Sequence, residues 1–289
     1  MLNVLGLHPE RRGVQTLPNL FDYVNTVIPL SSSMTSTQRI IAYATPLVFV
    51  LMWSTGFIFT RMGVPYAEPL TFLCLRMMLA AALILVITFF VNVSWPTRKM
   101  DWVHSAVVGI LIHGIYLGGV FVAIDLGLDT GITALIVGLQ PLLTVAFAAI
   151  WLAERLSIQK LIGVLLGFVG ITVIILHRGP EIDLTAKTGL WFCIAALLGI
   201  SAGTLYQKKF CTRTDLLPAT FIQYLANSLF LSVLVLNFES AQIEWTREFI
   251  FALTWLILVL SLGAVILLMW LIRTGEAGKV ASLFYLVPP

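Results

Sequence analysis

Apolar residues fall along this chain in blocks of about twenty, separated by short polar breaks, and one helical crossing of a bilayer needs about 20 such residues. Eight blocks reach that length, at 41–60, 70–91, 102–122, 132–151, 158–176, 188–207, 218–237 and 249–272, and a ninth starts near Ala277 and runs to Pro289. The pattern predicts an all-α membrane protein.

The blocks repeat. Ser54-Thr55-Gly56 returns as Ser201-Ala202-Gly203, 147 residues later, with Ile58 on Leu205, Phe59 on Tyr206 and Arg61 on Lys208. The same offset lays Asp129-Thr130-Gly131-Ile132-Thr133-Ala134 on Glu276-Ala277-Gly278-Lys279-Val280-Ala281, and Pro141 on Pro288. Residues 41–177 hold five blocks, and 188–289 open a second set. A half with an odd number of spans inserts its copy upside down, as in secondary transporters whose site lies between the repeats. A ten-helix bundle of two inverted five-helix repeats (5+5) is therefore expected. The offset carries the end of the first half, near His177, to a position near 324, so the chain is expected to be truncated within helix nine, about 35 residues early. At the other end, residues 1–40 read as a disordered tail broken by Pro9, Pro18, Pro29 and Ser31-Ser32-Ser33, without the apolar core of a signal peptide. Met34 is the alternative start.

Composition agrees with the pattern. The chain is 59% hydrophobic and 11% charged, with a mean hydropathy of +0.99, against roughly half and a quarter in soluble proteins. Its net charge of +3 is a matter of topology. With the amino terminus inside, twelve basic residues face the cytoplasm (among them Arg39, Arg98, Lys99, Arg155, Lys208 and Lys209), against Arg61, Arg178, Lys187 and Arg247 outside. That bias satisfies the positive-inside rule, and no nucleic-acid partner is needed to explain it.

Cys74, Cys193 and Cys211 form neither a CxxC pair nor a disulfide framework and read as small core residues. Gly163, Gly167 and Gly170, and Ala195, Gly199 and Gly203, have the spacing that lets helices approach closely in lipid. Packing within the chain or a homodimer would both use it.

Several of these segments resemble a known family. Trp53-Ser54-Thr55-Gly56-Phe57 in the first block, Arg76 early in the second, and the run Ala134…Gln140-Pro141…Trp151-Leu152-Ala153-Glu154-Arg155-Leu156 are similar to the EamA family of the drug/metabolite transporter superfamily. The resemblance covers residues 38 to 289. It implies ten helices in two inverted repeats, a central cavity, no cofactor, a multi-pass place in the bacterial inner membrane, and export of amino acids or related small metabolites.

Polar groups deep in such spans mark sites, because their burial in hydrocarbon is costly. All fourteen acidic residues lie in loops, tails or at span ends, which leaves no mid-membrane carboxylate to carry an ion. His113 lies about eleven residues, or ~16 Å, into its block. It is either a neutral group bonded to a backbone carbonyl or, with an ordinary pKa near ~6.5, a proton-sensitive one. On α-helical spacing Gly109, His113 and Tyr116 share a face. Arg76, about six residues in, either snorkels and pairs structurally or offers its fork to a substrate carboxylate.

Pro141 and Pro288 are expected to kink their helices as hinges, freeing carbonyls beside Gln140. Gln223 and Asn227 lie one turn apart. Trp53 is expected on a cavity wall, whereas Tyr206 and Trp270 read as interface aromatics. Glu154-Arg155 reads as a helix end. The substrate-binding set is thus Trp53, Arg76, His113, Tyr116, Gln140, Gln223 and Asn227, with no metal ligands.

The expected function is secondary transport of a small amphipathic metabolite by alternating access, without ATP hydrolysis. A membrane sensor or scaffold is one alternative. An intramembrane hydrolase is another, because Gly199-Ile200-Ser201-Ala202-Gly203 fits GxSxG formally, although that elbow requires a strand-to-helix turn.

Overall fold

A computed structural model describes residues 36–151, 184–211 and 214–265, together with Leu267 and isolated positions between 162 and 173. The features expected at residues 1–35, Glu154-Arg155, Gly163, Gly167, Trp270, the ninth block and Pro288 lie outside the described residues.

Helix α1 spans Ser36–Gly63 and ends in a 3-10 turn, Val64–Tyr66. Helix α2 spans Pro69–Thr88, and α3 runs unbroken over Lys99–Asp125. Gly127, at φ +85°, turns the chain, and Asp129 caps the next helix by accepting from the amides of Gly131 and Ile132. That span is divided into α4, Thr130–Val137, and α5, Gln140–Trp151. Then follow α6 over Leu184–Phe210, α7 over Leu216–Phe238 and α8 over Arg247–Ala264. Six helical stretches among the described residues are long and apolar enough to cross a membrane. Leu51, Ile58, Met78, Leu229 and Leu236 stand exposed on their outer faces, where lipid rather than water is the natural neighbour. The protein is an all-α, multi-pass membrane protein.

The expected kink at Pro141 takes a different form. The helix stops at Val137 and restarts at Gln140, so the break precedes the proline. Pro141 has no amide to offer the carbonyl four residues back, at Val137, and the chain turns through Gly138-Leu139, where Leu139 N bonds to Ile136 O instead.

The 147-residue offset reappears in the helices. It carries the end of α1 onto that of α6, Gly63 to Phe210, and the start of α2 onto that of α7, Pro69 to Leu216. It also carries an unusual feature. Within α3 the segment Gly109–Leu117 is π-helical, and within α8 so is Leu256–Ala264, each bound displaced by the same 147. Runs of π-helix are rare and collect at functional sites. The Ser-x-Gly motif of each half serves these segments. A Cβ on Gly56 would stand 2.7 Å from Leu260, and one on Gly203 2.6 Å from Ile112. Each motif glycine therefore lets α1 or α6 close onto the π segment of the other half. Gly199 packs likewise on Leu111 and Ile115, but Ala195, expected in the same row, is exposed.

Helices α2 and α7 pack antiparallel. Leu70, at the start of α2, meets Glu239 just past the end of α7; Cys74 meets Ser228 and Ser232; and Ser94, beyond α2, meets Asp215 ahead of α7. The ends are tied by carboxylates. Glu239 accepts from the amides of Leu70 and Thr71 at 2.9 and 2.7 Å and from the Thr71 hydroxyl at 2.6 Å. It thus caps α2 from the opposite half, where orphan amides and the helix dipole favour an anion. Glu68 returns the contact, accepting from Ser240 N and Oγ at 2.7 and 2.8 Å. At the far end Asp215, the offset mate of Glu68, accepts from Ser94 N at 2.8 Å.

Two outcomes follow for stability. Glu239→Ala strands two helix-terminal amides and a hydroxyl, whose bonds to a charged partner are worth about 1.5–3 kcal/mol, whereas Asp215→Ala loses one exposed bond. Thermal unfolding in detergent should rank the first well below the second. Gly109→Ala would set a Cβ 2.7 Å from Gln223 Cα, whereas Gly118→Ala meets nothing nearer than 3.7 Å. The former should cost about 1–3 kcal/mol by overpacking and the latter little, in the same assay.

Candidate functional site

Antiparallel packing of α2 on α7 sets two offset mates, Arg76 and Gln223, facing the π segments. Arg76 Nε donates to Ser261 Oγ at 3.2 Å in the π segment of α8. Gln223 Oε1 lies 3.3 Å from His113 Nε2 in that of α3. The two contacts are counterparts. Gly109 and His113 both meet Gln223, one by backbone approach and the other by side chain.

Tyr224 joins the two poles. Its hydroxyl donates to Ser261 O at 3.1 Å, and its ring meets His113 edge-on with centroids 4.7 Å apart. Tyr116, Tyr224 and His113 lie within electrostatic reach of the Arg76 guanidinium, and Trp53 is a side-chain hydrogen-bond neighbour of Tyr116. Trp53 is half-buried beside Phe49, ring centroids 5.4 Å apart. Asn227, one turn beyond Gln223, faces Gly114, where a Cβ would stand 2.8 Å from Oδ1.

The structure thus gathers Trp53, Arg76, His113, Tyr116, Gln223 and Asn227 around the π segments. Gln140 stands apart from them in its contacts. At the start of α5 it donates from Nε2 to Thr204 Oγ1 of α6 at 3.3 Å.

Arg76 does not snorkel. It is 5% exposed and turned inward onto Ser261, and no carboxylate among the described residues pairs with it. A buried cation lacking a counter-ion is costly. Near it lie further unmet groups: among the described residues, His113 Nδ1, Gln223 Nε2, and both Nδ2 and Oδ1 of Asn227 have no hydrogen-bond partner. Asn227 is 0% exposed. Each buried unpaired group costs about 1–3 kcal/mol, and such groups in a folded protein point to a missing ligand or water.

Tyr206, read as an interface aromatic, has a specific partner: its hydroxyl lies 2.8 Å from His104 Nδ1. Ser201 lies within α6, its Oγ has no partner, and His113 is engaged by Gln223. That geometry forms neither a nucleophile elbow nor a serine–histidine pair.

Sequence reasoning passed over Ser261 and gave Tyr224 no role. One signal was available for Ser261: the offset makes it the mate of Gly114, beside His113, just as Gln223 is the mate of Arg76.

Comparison with known proteins places these features in company. The EamA-like transporter family matches residues 40–176. The uncharacterized transporter YvbV of Bacillus subtilis (strain 168) is 30% identical over 242 residues, spanning 83% of this chain and 77% of the relative. A probable amino-acid metabolite efflux pump of Salmonella typhimurium is 26% identical over 166 residues, 56% of this chain and 52% of the pump. A solved crystal structure aligns with a TM-score of 0.60 at 21% identity, over 85% of this chain and 83% of the other. That last likeness concerns the fold alone.

Asn227→Leu tests whether the unpaired amide serves a ligand. Replacing both polar atoms by an apolar group of similar size should raise the stability of the empty protein, by up to about 1–3 kcal/mol, while weakening ligand binding. Thermal unfolding and ligand titration of the same preparation check both halves of that expectation.

Proposed function

Since the chain belongs to the EamA-like transporter family of the drug/metabolite transporter superfamily, we propose that this membrane transporter exports small amphipathic carboxylates by alternating access. Arg76 carries the reading: a buried, membrane-depth guanidinium, bonded through Nε to a neutral serine, without a carboxylate partner among the described residues. Guanidinium offers a carboxylate two parallel donors. Gln223, Asn227 and His113 supply hydrogen bonds, and Trp53 and Tyr116 form the apolar wall.

The two halves would move as inverted five-helix repeats, residues 41–177 and 188 onward, in a ten-helix bundle. The antiparallel offset mates α2 and α7 and the paired π segments support that arrangement. The break before Gln140-Pro141 would be the hinge of the first half, with Pro288 its counterpart in the second. The basic residues favour a cytoplasmic amino terminus in a bacterial inner membrane, which puts the Glu68–Glu239 end outside. Export is favoured by the relative described as an efflux pump.

Flux of a carboxylate and its matched amide in proteoliposomes tests this. The acid should be preferred, and Arg76→Lys, which keeps the charge and loses the fork, should reduce that preference by about tenfold or more with unfolding unchanged. Equal selectivity in parent and variant would assign Arg76 to structure. Binding without flux would make the protein a sensor.

A further inference from the structure

We propose that the substrates are net monoanions, carboxylates whose second polar group is uncharged, such as N-acyl amino acids and 2-hydroxy acids, rather than zwitterionic amino acids. The inference rests on the carboxylate reading of Arg76 and goes further in naming what the rest of the site accepts.

Charge balance is the first ground. Among the described residues Arg76 is the one guanidinium or ammonium at the site, and the groups around it are the Ser261 hydroxyl, the phenols of Tyr116 and Tyr224, the His113 imidazole and two amides. Along the whole sequence every acidic residue falls in a loop, a tail or at a span end. Glu68, Glu239 and Asp215 are engaged at the bundle ends. One carboxylate therefore neutralises the site. A zwitterion would bring an ammonium as well, and no anion among the described residues stands there to meet it in a low-dielectric interior.

Donor and acceptor count is the second ground, and it is independent of the first. Among the described residues, Gln223 Nε2 and Asn227 Nδ2 are obligate donors without acceptors, and Asn227 Oδ1 and, with Nε2–H directed at Gln223 Oε1, His113 Nδ1 are acceptors without donors. An ammonium has three donors and nothing to accept with. It could satisfy Oδ1 and His113 Nδ1 but would leave both amide nitrogens unpaired. An N-acyl group offers a carbonyl to the nitrogens and an N–H to Oδ1, and a hydroxyl can likewise accept and donate. Reversing the Asn227 amide leaves this count unchanged.

The test is a matched series titrated into the purified full chain in nanodiscs: phenylalanine, N-acetylphenylalanine, phenyllactate, phenylalaninamide and N-acetylphenylalaninamide, whose common ring suits Trp53 and Tyr116. N-acetylphenylalanine and phenyllactate should bind at least about tenfold more tightly than phenylalanine, and each acid more tightly than its amide. Asn227→Asp supplies the missing anion and should move the preference toward phenylalanine by a similar factor. Should that variant not fold, the parent series decides alone. Phenylalanine binding as tightly as N-acetylphenylalanine, with both amides still weak, would overturn the inference and leave the carboxylate reading standing. N-acetylphenylalanine and its amide binding alike would remove the carboxylate reading itself.

Discussion

The packing of α2 against α7 governs where every central polar group can be. The two helices occupy the same place in their halves and run in opposite directions, so equivalent residues lie equally far from opposite ends of the pair. Arg76 and Gln223 are such a pair, and each finds its partner in a π segment of the opposite half. Carboxylates at both ends hold the register, since Glu239 reaches two amides of the first turn of α2 and Asp215 reaches the chain just past its end. A slip of one helical turn, about 5.4 Å, would detach both residues from the π segments and both helix ends from their caps.

Lipid gives no hydrophobic force between helices, so association must come from close packing and from polar contacts. Both operate here, at different places. Gly56 and Gly203 bring α1 and α6 onto the π segments, and Gly109 brings α3 onto the backbone of Gln223. Gly109 and Gly114 offer no side chain of their own to the α7 residues they face, Gln223 and Asn227, while His113 reaches Gln223. The unsatisfied state of Asn227 is thus built by glycine: the helix that faces it has nothing there with which to answer.

Most of this architecture was legible in the amino-acid sequence, because span length and a fixed offset are properties of the chain alone. Arg76, His113, Gln223 and Asn227 were legible for a related reason: polar groups within apolar blocks stand out. The π segments were not. Gly109–Leu117 has the composition of any membrane helix, and the choice between i+4 and i+5 bonding is made by neighbours, here α6 and α7. Ser261 was hidden because a serine in an apolar span reads as a small packing residue until an arginine from the other half is seen to use it. The helix break came earlier than Pro141 because a proline disturbs the turn before it. Ala195 misled because a four-residue repeat on a helix of about 3.6 residues per turn drifts round the axis, carrying it off the face that Gly199 and Gly203 share.

The carboxylate ties at the end of α2 also set an order of events during synthesis. Glu239 follows Leu70 by 169 residues and Thr71 by 168, so the first turn of α2 enters the membrane long before its cap exists. Interfacial water must hold those amides in the meantime. The first half is therefore provisional when it leaves the ribosome, its second helix free to shift along its axis. Its cap arrives only when the loop after α7 emerges, and by then Gln223, the partner of His113, has already been made. Ser261, which holds Arg76, emerges later still, so the cap of α2 precedes completion of the binding site, and a chain stopped before Glu239 would lack both.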